Sequence, residues 1–296
     1  MKLGSLYQKG KLIYSYEVFP PKTDEGVDKL INELKKLEKF KPSFISVTYG
    51  AGGSTQGRSI KLIKLIKDKI KSTPVPHFTC IGSDKESILS FTKVIEDLGL
   101  HNILALRGDI PKDTTNYHPK NNVFHYADEL VAFIKEKTSL HIAVAGYPEK
   151  HPEANTLEED LEHLKQKVDA GAEVVITQLF YENKRYFEFI EKAKKIGIKI
   201  PIIPGILPTT SKKQLDKILE LCKGTVHVPK ELQESFDKYK DQPEKAKNIG
   251  IDFAVKQVKE LIKANVLGIH FYTLNQAEAV GKVIEALPLP PNKKSS

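Results

Sequence analysis

The chain is short of several things, and each shortage removes a class of protein. It carries two cysteines in 296 residues, Cys80 and Cys222. Two are too few for a disulfide framework or a metal site of their own, and both read as inert buried thiols. A reducing, cytoplasmic setting is the expectation. No apolar run approaches the roughly 18 residues a membrane helix needs. The N-terminal stretch MKLGSLYQKGKLIYSYEVF lacks an unbroken apolar core and a small-residue cleavage site, which argues against a secretory signal. There is no G-x-G-x-x-G fingerprint and no G-x-S-x-G elbow. No His/Cys/Asp/Glu cluster has the spacing of metal ligands, so no metal is expected.

What is present fits a packed globular chain. Hydrophobic residues make up 40% and charged ones 28%, a balance that points to a core rather than disorder. Net charge is +8. In IKLIKLIKDKIK, Lys61, Lys64 and Lys67 alternate with Ile60, Leu62, Ile63 and Ile66, which describes an amphipathic helix with a solvated basic face. No basic run is interleaved with aromatics as a nucleic-acid surface would require. Nucleic acid and membrane are therefore not expected as partners. A positive field still steers small anions.

One stretch competes for attention. Gly52-Gly53-Ser54-Thr55-Gln56-Gly57-Arg58-Ser59 fits the nucleotide phosphate loop except at Arg58, where lysine belongs. Arginine is longer and planar and does not replace that lysine. The only candidate magnesium partner is Asp109 in LALRGD, after an Arg-Gly turn. The plainer account is a tight strand-to-helix turn made by Gly50, Gly52 and Gly53.

Eight strand-like runs recur, at 12–19, 43–49, 75–80, 102–108, 141–148, 173–180, 201–208 and 268–273. Helical periodicity separates them. Val27, Leu30, Ile31, Leu34 and Leu37 fall on one face of the first such segment. The segment SILSFTKVIEDLGL stops at Gly99. Eight such units imply an α/β fold, a single (β/α)8 TIM barrel over 1–287, with a flexible polar tail at 288–296. An open doubly wound sheet is the second choice. The gap from 209 to 267 is too long for one helix, so an extra helix is expected before the last strand.

A barrel of this kind keeps its active site at the C-terminal strand ends, and polar residues gather there. Glu17 is a lone carboxylate in an apolar strand, costly unless paired or functional. Alternation puts Ser15, Glu17 and Phe19 on one face and Tyr14, Tyr16 and Val18 on the other. Burial in the lumen would raise the pKa of Glu17 and make it a proton donor, whereas a structural ion pair is the plain alternative. His77 could be a satisfied core histidine, Asp109 a turn cap, and Gln178 an amide bonded to nearby backbone. A donor carboxylate without a metal points to an organic cofactor. The residues by themselves go no further.

The motifs EVFPPK, SVTYGAGGST, PHFTC, LALRGD, YPEKHPEA, KVDAGAEVVITQLFY, PGILP and HFYTLN, taken together and in this order, resemble the bacterial type of methylenetetrahydrofolate reductase. The similarity runs from about Tyr14 to Asn275. It implies a flavin barrel in which FAD takes hydride from NAD(P)H and passes it to 5,10-methylenetetrahydrofolate in a ping-pong cycle. The product would be 5-methyltetrahydrofolate, which supplies methyl groups for methionine synthesis. Glu17 would be the general acid at N10 of the folate, and Asp109 would tune flavin and folate. Gln178, Tyr272 and Gln276 would contact the folate. Thr48, Tyr49, His77, Arg107, Gly108, Asp109, Tyr147, His151, Ala154, Asp160, His163, Gln166 and Lys167 would hold FAD. A homo-oligomer is implied as well. The chain ends soon after the eighth unit, so the S-adenosylmethionine-binding region of eukaryotic members is expected to be absent.

Three positions depart from the family pattern. Lys212 stands where some members carry an aromatic, Gln276 where some carry an arginine, and His163 where some carry an asparagine. They keep open a second function, a flavin- or folate-binding barrel with altered catalysis. A phosphate-loop NTPase is a third possibility, told apart by magnesium-dependent hydrolysis and lack of colour.

Overall fold

The computed structural model describes residues 2–49, 56–109 and 123–287. Eight parallel strands close into a barrel in the order of the chain. They are β1 (Ile13–Val18), β2 (Phe44–Val47), β3 (Thr73–Thr79), β4 (Asn102–Leu106), β5 (His141–Gly146), β6 (Val174–Leu179), β7 (Ile202–Ile206) and β8 (Gly268–Tyr272). Seven of the eight lie inside the strand-like runs, and β3 begins two residues before its run, at Thr73. Closure pairs β1 with β8, setting Ser15 beside His270 and Glu17 beside Tyr272.

The helices are α1 (Leu3–Leu6), α2 (Asp24–Leu37), α3 (Gln56–Lys69), α4 (Lys85–Asp97), α5 (Ala127–Lys137) and α6 (Leu157–Asp169). They continue with α7 (Asn183–Lys195), α8 (Lys212–Leu221), α9 (Lys230–Lys238), α10 (Pro243–Lys263) and α11 (Glu278–Glu285). Local chemistry sets their ends. Thr23 accepts from the Gly26 N–H to cap α2, and Asp84 accepts from the Ser87 N–H to cap α4. Thr156 caps α6 in the same way, through the Glu159 N–H. Gly99 follows α4 at φ +68°, the left-handed conformation that ends helices and suits glycine.

Two apolar layers hold the barrel. Val27, Leu30, Ile31, Leu34 and Leu37 of α2 join Tyr16, Val18 and Ile45 in the layer between strands and helices. Burying one such aliphatic side chain contributes about 1.5–3 kcal/mol. A second cluster, with Ile13, Phe44, Val75, Leu104 and Ile203, includes Leu3 and Tyr7, so the N-terminal segment packs with strand residues of the other face. Alternation along β1 thus divides the two layers as expected.

The stretch between β7 and β8 holds two helices, α8 and α9, ahead of the long crossover helix α10, where the sequence leads to the expectation of one extra helix. They persist because they own a core: Leu215, Ile218, Cys222, Leu232 and Phe236 pack with Leu179 and Leu207. His227, in the loop between α8 and α9, donates its backbone N–H to Glu149 at 3.0 Å and ties this region to the loop after β5. Gly52 to Thr55 lie outside the described residues, as does the tail from 288. Arg58 falls inside α3, and the Ser59 hydroxyl donates to the Thr48 carbonyl at 3.1 Å. Among the described residues no helix is long and apolar enough to cross a membrane.

Candidate active site

Two adjoining cavities open where the strands end. The inner one, of about 270 Å³, is lined by Glu17, Thr48, Tyr49, His77, Gln178 and Tyr272, with Thr79, Leu104 and Ile176 among its walls. The outer one, of about 640 Å³, is lined by Arg107, His151, Ala154, Asp160, His163, Gln166 and Lys167, with Tyr126 and Glu153. Leu106, Gly108, Asp109, Ala145 and Tyr147 line both. Gly108 can be only glycine at this junction. Its φ is +85°, and a Cβ would stand 2.8 Å from the Thr79 Cβ.

Glu17 sits inside the barrel between two histidines. His77 Nε2 is 3.5 Å and His270 Nε2 3.6 Å from the same oxygen, Oε2. Both distances are long for a full hydrogen bond, and both nitrogens are buried without another partner among the described residues. Ser15 Oγ and His270 Nδ1 share a hydrogen bond of 2.8 Å. This corrects one expectation. Burial does push the Glu17 carboxyl up, but His270, His77 and Ser46 together outweigh it and hold it below the usual glutamate range. Burial pushes the His77 imidazole down, against the pull of the Glu17 charge. Alternation along the strand places Glu17 correctly. The histidines that reverse its pKa arrive from β3 and β8, far away in sequence.

The rest of the inner cavity is fixed by strands. Tyr272 donates its hydroxyl to the Thr177 carbonyl at 2.7 Å and stands edge-on to His270. Tyr49 packs against Phe78 and Phe91, and burial pushes its hydroxyl up to about 12. The Gln178 Oε1 accepts from the Leu179 N–H at 2.9 Å, the backbone contact anticipated for an amide in this place. Thr79 Oγ1 is a buried hydroxyl without a partner among the described residues.

The outer cavity is held by helices and loops. Arg107 forms a two-pronged pair with Glu153, at 2.5 and 2.6 Å. Lys167 Nζ donates to the Ala145 carbonyl at 2.6 Å, and burial pushes its ammonium down to about 8. Asp160 accepts from the His151 N–H at 3.1 Å. Tyr147 meets His151 edge-on at 4.8 Å, and Tyr126 lies 6.5 Å from His163. Among the described residues lining this cavity, the carboxylates of Asp109, Asp128, Glu153, Glu159 and Asp160 stand with two full cations, Arg107 and Lys167.

A family model described as methylenetetrahydrofolate reductase matches residues 2–288. The chain belongs to the methylenetetrahydrofolate reductase family. It is 38% identical over 283 residues to 5,10-methylenetetrahydrofolate reductase of Escherichia coli (strain K12), covering 96% of this chain and 93% of that protein. It is 37% identical over 284 residues to the protein of the same name from Pectobacterium carotovorum subsp. carotovorum, with the same shares covered. A solved structure of an uncharacterized protein from Clostridium thermocellum, which binds two copies of 5-methyl-5,6,7,8-tetrahydrofolic acid, matches with a TM-score of 0.68. At 14% identity, over 98% of this chain and 99% of that one, this shows a shared fold.

The three departures from the reductase family pattern fall in different places. Lys212 opens α8 and bonds Asp216 at 2.7 Å, with Asp237 of α9 at 3.4 Å, so its charge is spent on the helices of the insertion. Gln276 is exposed on the turn after β8 and lines neither cavity. His163 lines the outer cavity. Two neighbours of the site escaped the sequence. His270 interrupts an apolar strand just as Glu17 does, and the same alternation could have raised it. Glu153 sits in the HPEA segment, between residues that were singled out.

The two cavities suit an FAD. The inner one offers Thr79 Oγ1 and His77 Nε2, buried and without a hydrogen-bond partner among the described residues, between apolar walls. The outer one offers Arg107 and Lys167 as cations for a diphosphate, carboxylates for hydroxyl groups, and the rings of Tyr126 and His163.

Proposed function

We propose that the chain reduces 5,10-methylenetetrahydrofolate to 5-methyltetrahydrofolate with NAD(P)H, through a bound FAD. The observation that carries this, within a family of that activity, is Glu17 held between His77 and His270 in the wall of the inner cavity. FAD, when bound, would supply a hydride acceptor and donor that serves both substrates in turn, which is the basis of a ping-pong cycle. Thr48, Tyr49, His77, Gly108, Asp109 and Tyr147 would hold its ring system. Arg107, His151, Ala154, Asp160, His163, Gln166 and Lys167 would hold the remainder.

The chain's own task is to hold and move one proton. Opening the bridged ring of the folate requires protonation at N10, and Glu17 would deliver it. Burial raises the Glu17 carboxyl, but His270, His77 and Ser46 hold it below the usual glutamate range before substrate binds. A substrate seated in the inner cavity would cover what remains exposed of Glu17, 21% of its side chain. That added desolvation would push the carboxyl back toward its protonated form when it is needed. Leu104, Leu106 and Ile176 would exclude water, while Gln178 and Tyr272 orient the folate. Such an enzyme would feed methyl groups to methionine synthesis and work in the cytoplasm as a homo-oligomer.

The visible spectrum of the purified protein tests this. Flavin bands should bleach with anaerobic NADH or NADPH and return with methylenetetrahydrofolate. A colourless protein that takes up no added FAD would overturn the proposal.

A further inference from the structure

The pair between Arg107 and Glu153 is placed where a ligand should be. Both residues line the outer cavity. The carboxylate takes both terminal nitrogens of the guanidinium, Nη1 and Nη2, with one oxygen each. That end of the fork is the face best shaped for two oxygens of a phosphate. It cannot serve a carboxylate and a phosphate at once. The other cation of the cavity, Lys167, already donates to the Ala145 carbonyl.

The loop that carries Glu153 does not depend on this pair. Lys150 Nζ donates to the Ala154 carbonyl at 2.7 Å, and the Ala154 N–H to the His151 carbonyl at 3.0 Å. The His151 N–H donates to Asp160, and the Glu153 N–H to His151 Nδ1 at 3.2 Å. The backbone is therefore tied on both sides of Glu153 by other groups. The Glu153 side chain is 47% exposed and can turn into water, whereas Arg107 is 20% exposed and held in the wall. Each partner shifts the other toward its charged form: Glu153 is held below the usual glutamate range by Arg107, and Arg107 is raised by Glu153.

We infer that Glu153 is an internal stand-in for the diphosphate of the nucleotide cofactor, a carboxylate that occupies Arg107 and must release it when the cofactor binds. The inference rests on the assignment of FAD above. It makes Glu153 a specificity residue. Without Glu153, the fork of Arg107 would be open to any small anion that enters the cavity. With Glu153 in place, only a ligand bringing a stronger, two-pronged anion and further contacts in the cavity displaces it. Glu153 then weakens cofactor binding rather than supporting it, the opposite of what a residue that simply positions Arg107 would do.

Retention of FAD on dilution, read from the return of free-flavin fluorescence, separates the two roles. Glu153→Gln keeps the size and removes the charge, and should tighten FAD binding by about two- to fivefold, the range open to a partly exposed ion pair. Arg107→Gln should weaken binding, and in that background Glu153→Gln should bring no gain. Weaker or unchanged binding in Glu153→Gln, or a gain that persists without Arg107, would overturn the inference. If the unaltered protein takes up no FAD, the cofactor assignment fails by itself. The same comparison then runs with ADP in a calorimeter, where tighter binding by Glu153→Gln upholds the inference and equal binding overturns it.

Discussion

The inner and outer cavities meet at Gly108, Asp109 and Tyr147, yet they are built on opposite rules. The inner one places most of its polar groups on strands: Gln178 and Tyr272 are bonded to nearby backbone, while His77 Nε2 and Thr79 Oγ1 are buried without a hydrogen-bond partner among the described residues. The outer one places them on loops and helices, and satisfies them internally: Arg107 by Glu153, Lys167 by Ala145, Asp160 by His151. A short side chain such as Thr79, fixed on a strand, has little freedom to seek a partner, so an unmet polar atom there is open to a ligand. Loop and helix residues can relax, so their ligand must displace something. Rigid, unsatisfied groups suit chemistry, whereas satisfied, exchangeable groups suit selection among ligands.

The largest effect should come from the inner cavity. Glu17→Gln should slow folate reduction by about 10²–10⁴-fold, the usual weight of a general acid. Reduction of the flavin by NAD(P)H needs no such proton and should stay within a few-fold. Stopped-flow absorbance follows both half-reactions on one sample. If both fall together, Glu17 supports the whole cavity, and the division between chemistry and binding would not run where it is drawn here.

The same contrast explains what the sequence could disclose. All eight strands, and the inward face of Glu17, follow from periodicity, which is a local property. The burial of Val27, Leu30, Ile31, Leu34 and Leu37 is legible for the same reason. The sign of the Glu17 shift was not legible, because it depends on imidazoles from β3 and β8 that only barrel closure brings beside it. Nor was the pairing of Arg107 with Glu153, which joins β4 to the loop after β5 across 46 residues. The second helix of the insertion was missed because α8 and α9 are short and draw their stability from a shared cluster rather than from a long apolar stripe. The resemblance to a family supplied residue roles, but it could not show which side chains already have partners.

An intermediate effect should come from Lys167 in the outer cavity. Burial lowers its ammonium to about 8, with Asp160 and Asp128 pulling the other way. A diphosphate binds the charged form, so affinity for FAD should fall as pH rises through that value. The loss should be roughly fivefold between about pH 8 and pH 9, by proton linkage. For stability of the chain without cofactor the sign is reversed. The folded pKa lies below the unfolded one, so the unfolded state holds the extra proton between about 8 and 10.5, and stability rises with pH across that window. Lys167→Met should flatten both profiles. A wild-type affinity that is constant across this range would show that Lys167 is structural, and would leave Arg107 as the cation for the phosphates.

The smallest effect should lie outside both cavities. On sequence alone, Lys212 stands apart as a departure from the family pattern, which gives it a bearing on substrate. Here it bonds Asp216 and Asp237, and lines neither cavity. Its ammonium is raised above the ordinary lysine range, first by the bond to Asp216. Both carboxylates are more than half exposed, so solvent screens the pairs. Lys212→Ala should cost less than about 1 kcal/mol, measured as a shift in the urea midpoint. Folate and NAD(P)H half-reactions should be unchanged. A rise in the Michaelis constant for folate without a change in stability would mean that α8 presents Lys212 to the substrate, and the boundary between the catalytic cavities and the insertion would have to move outward to include it.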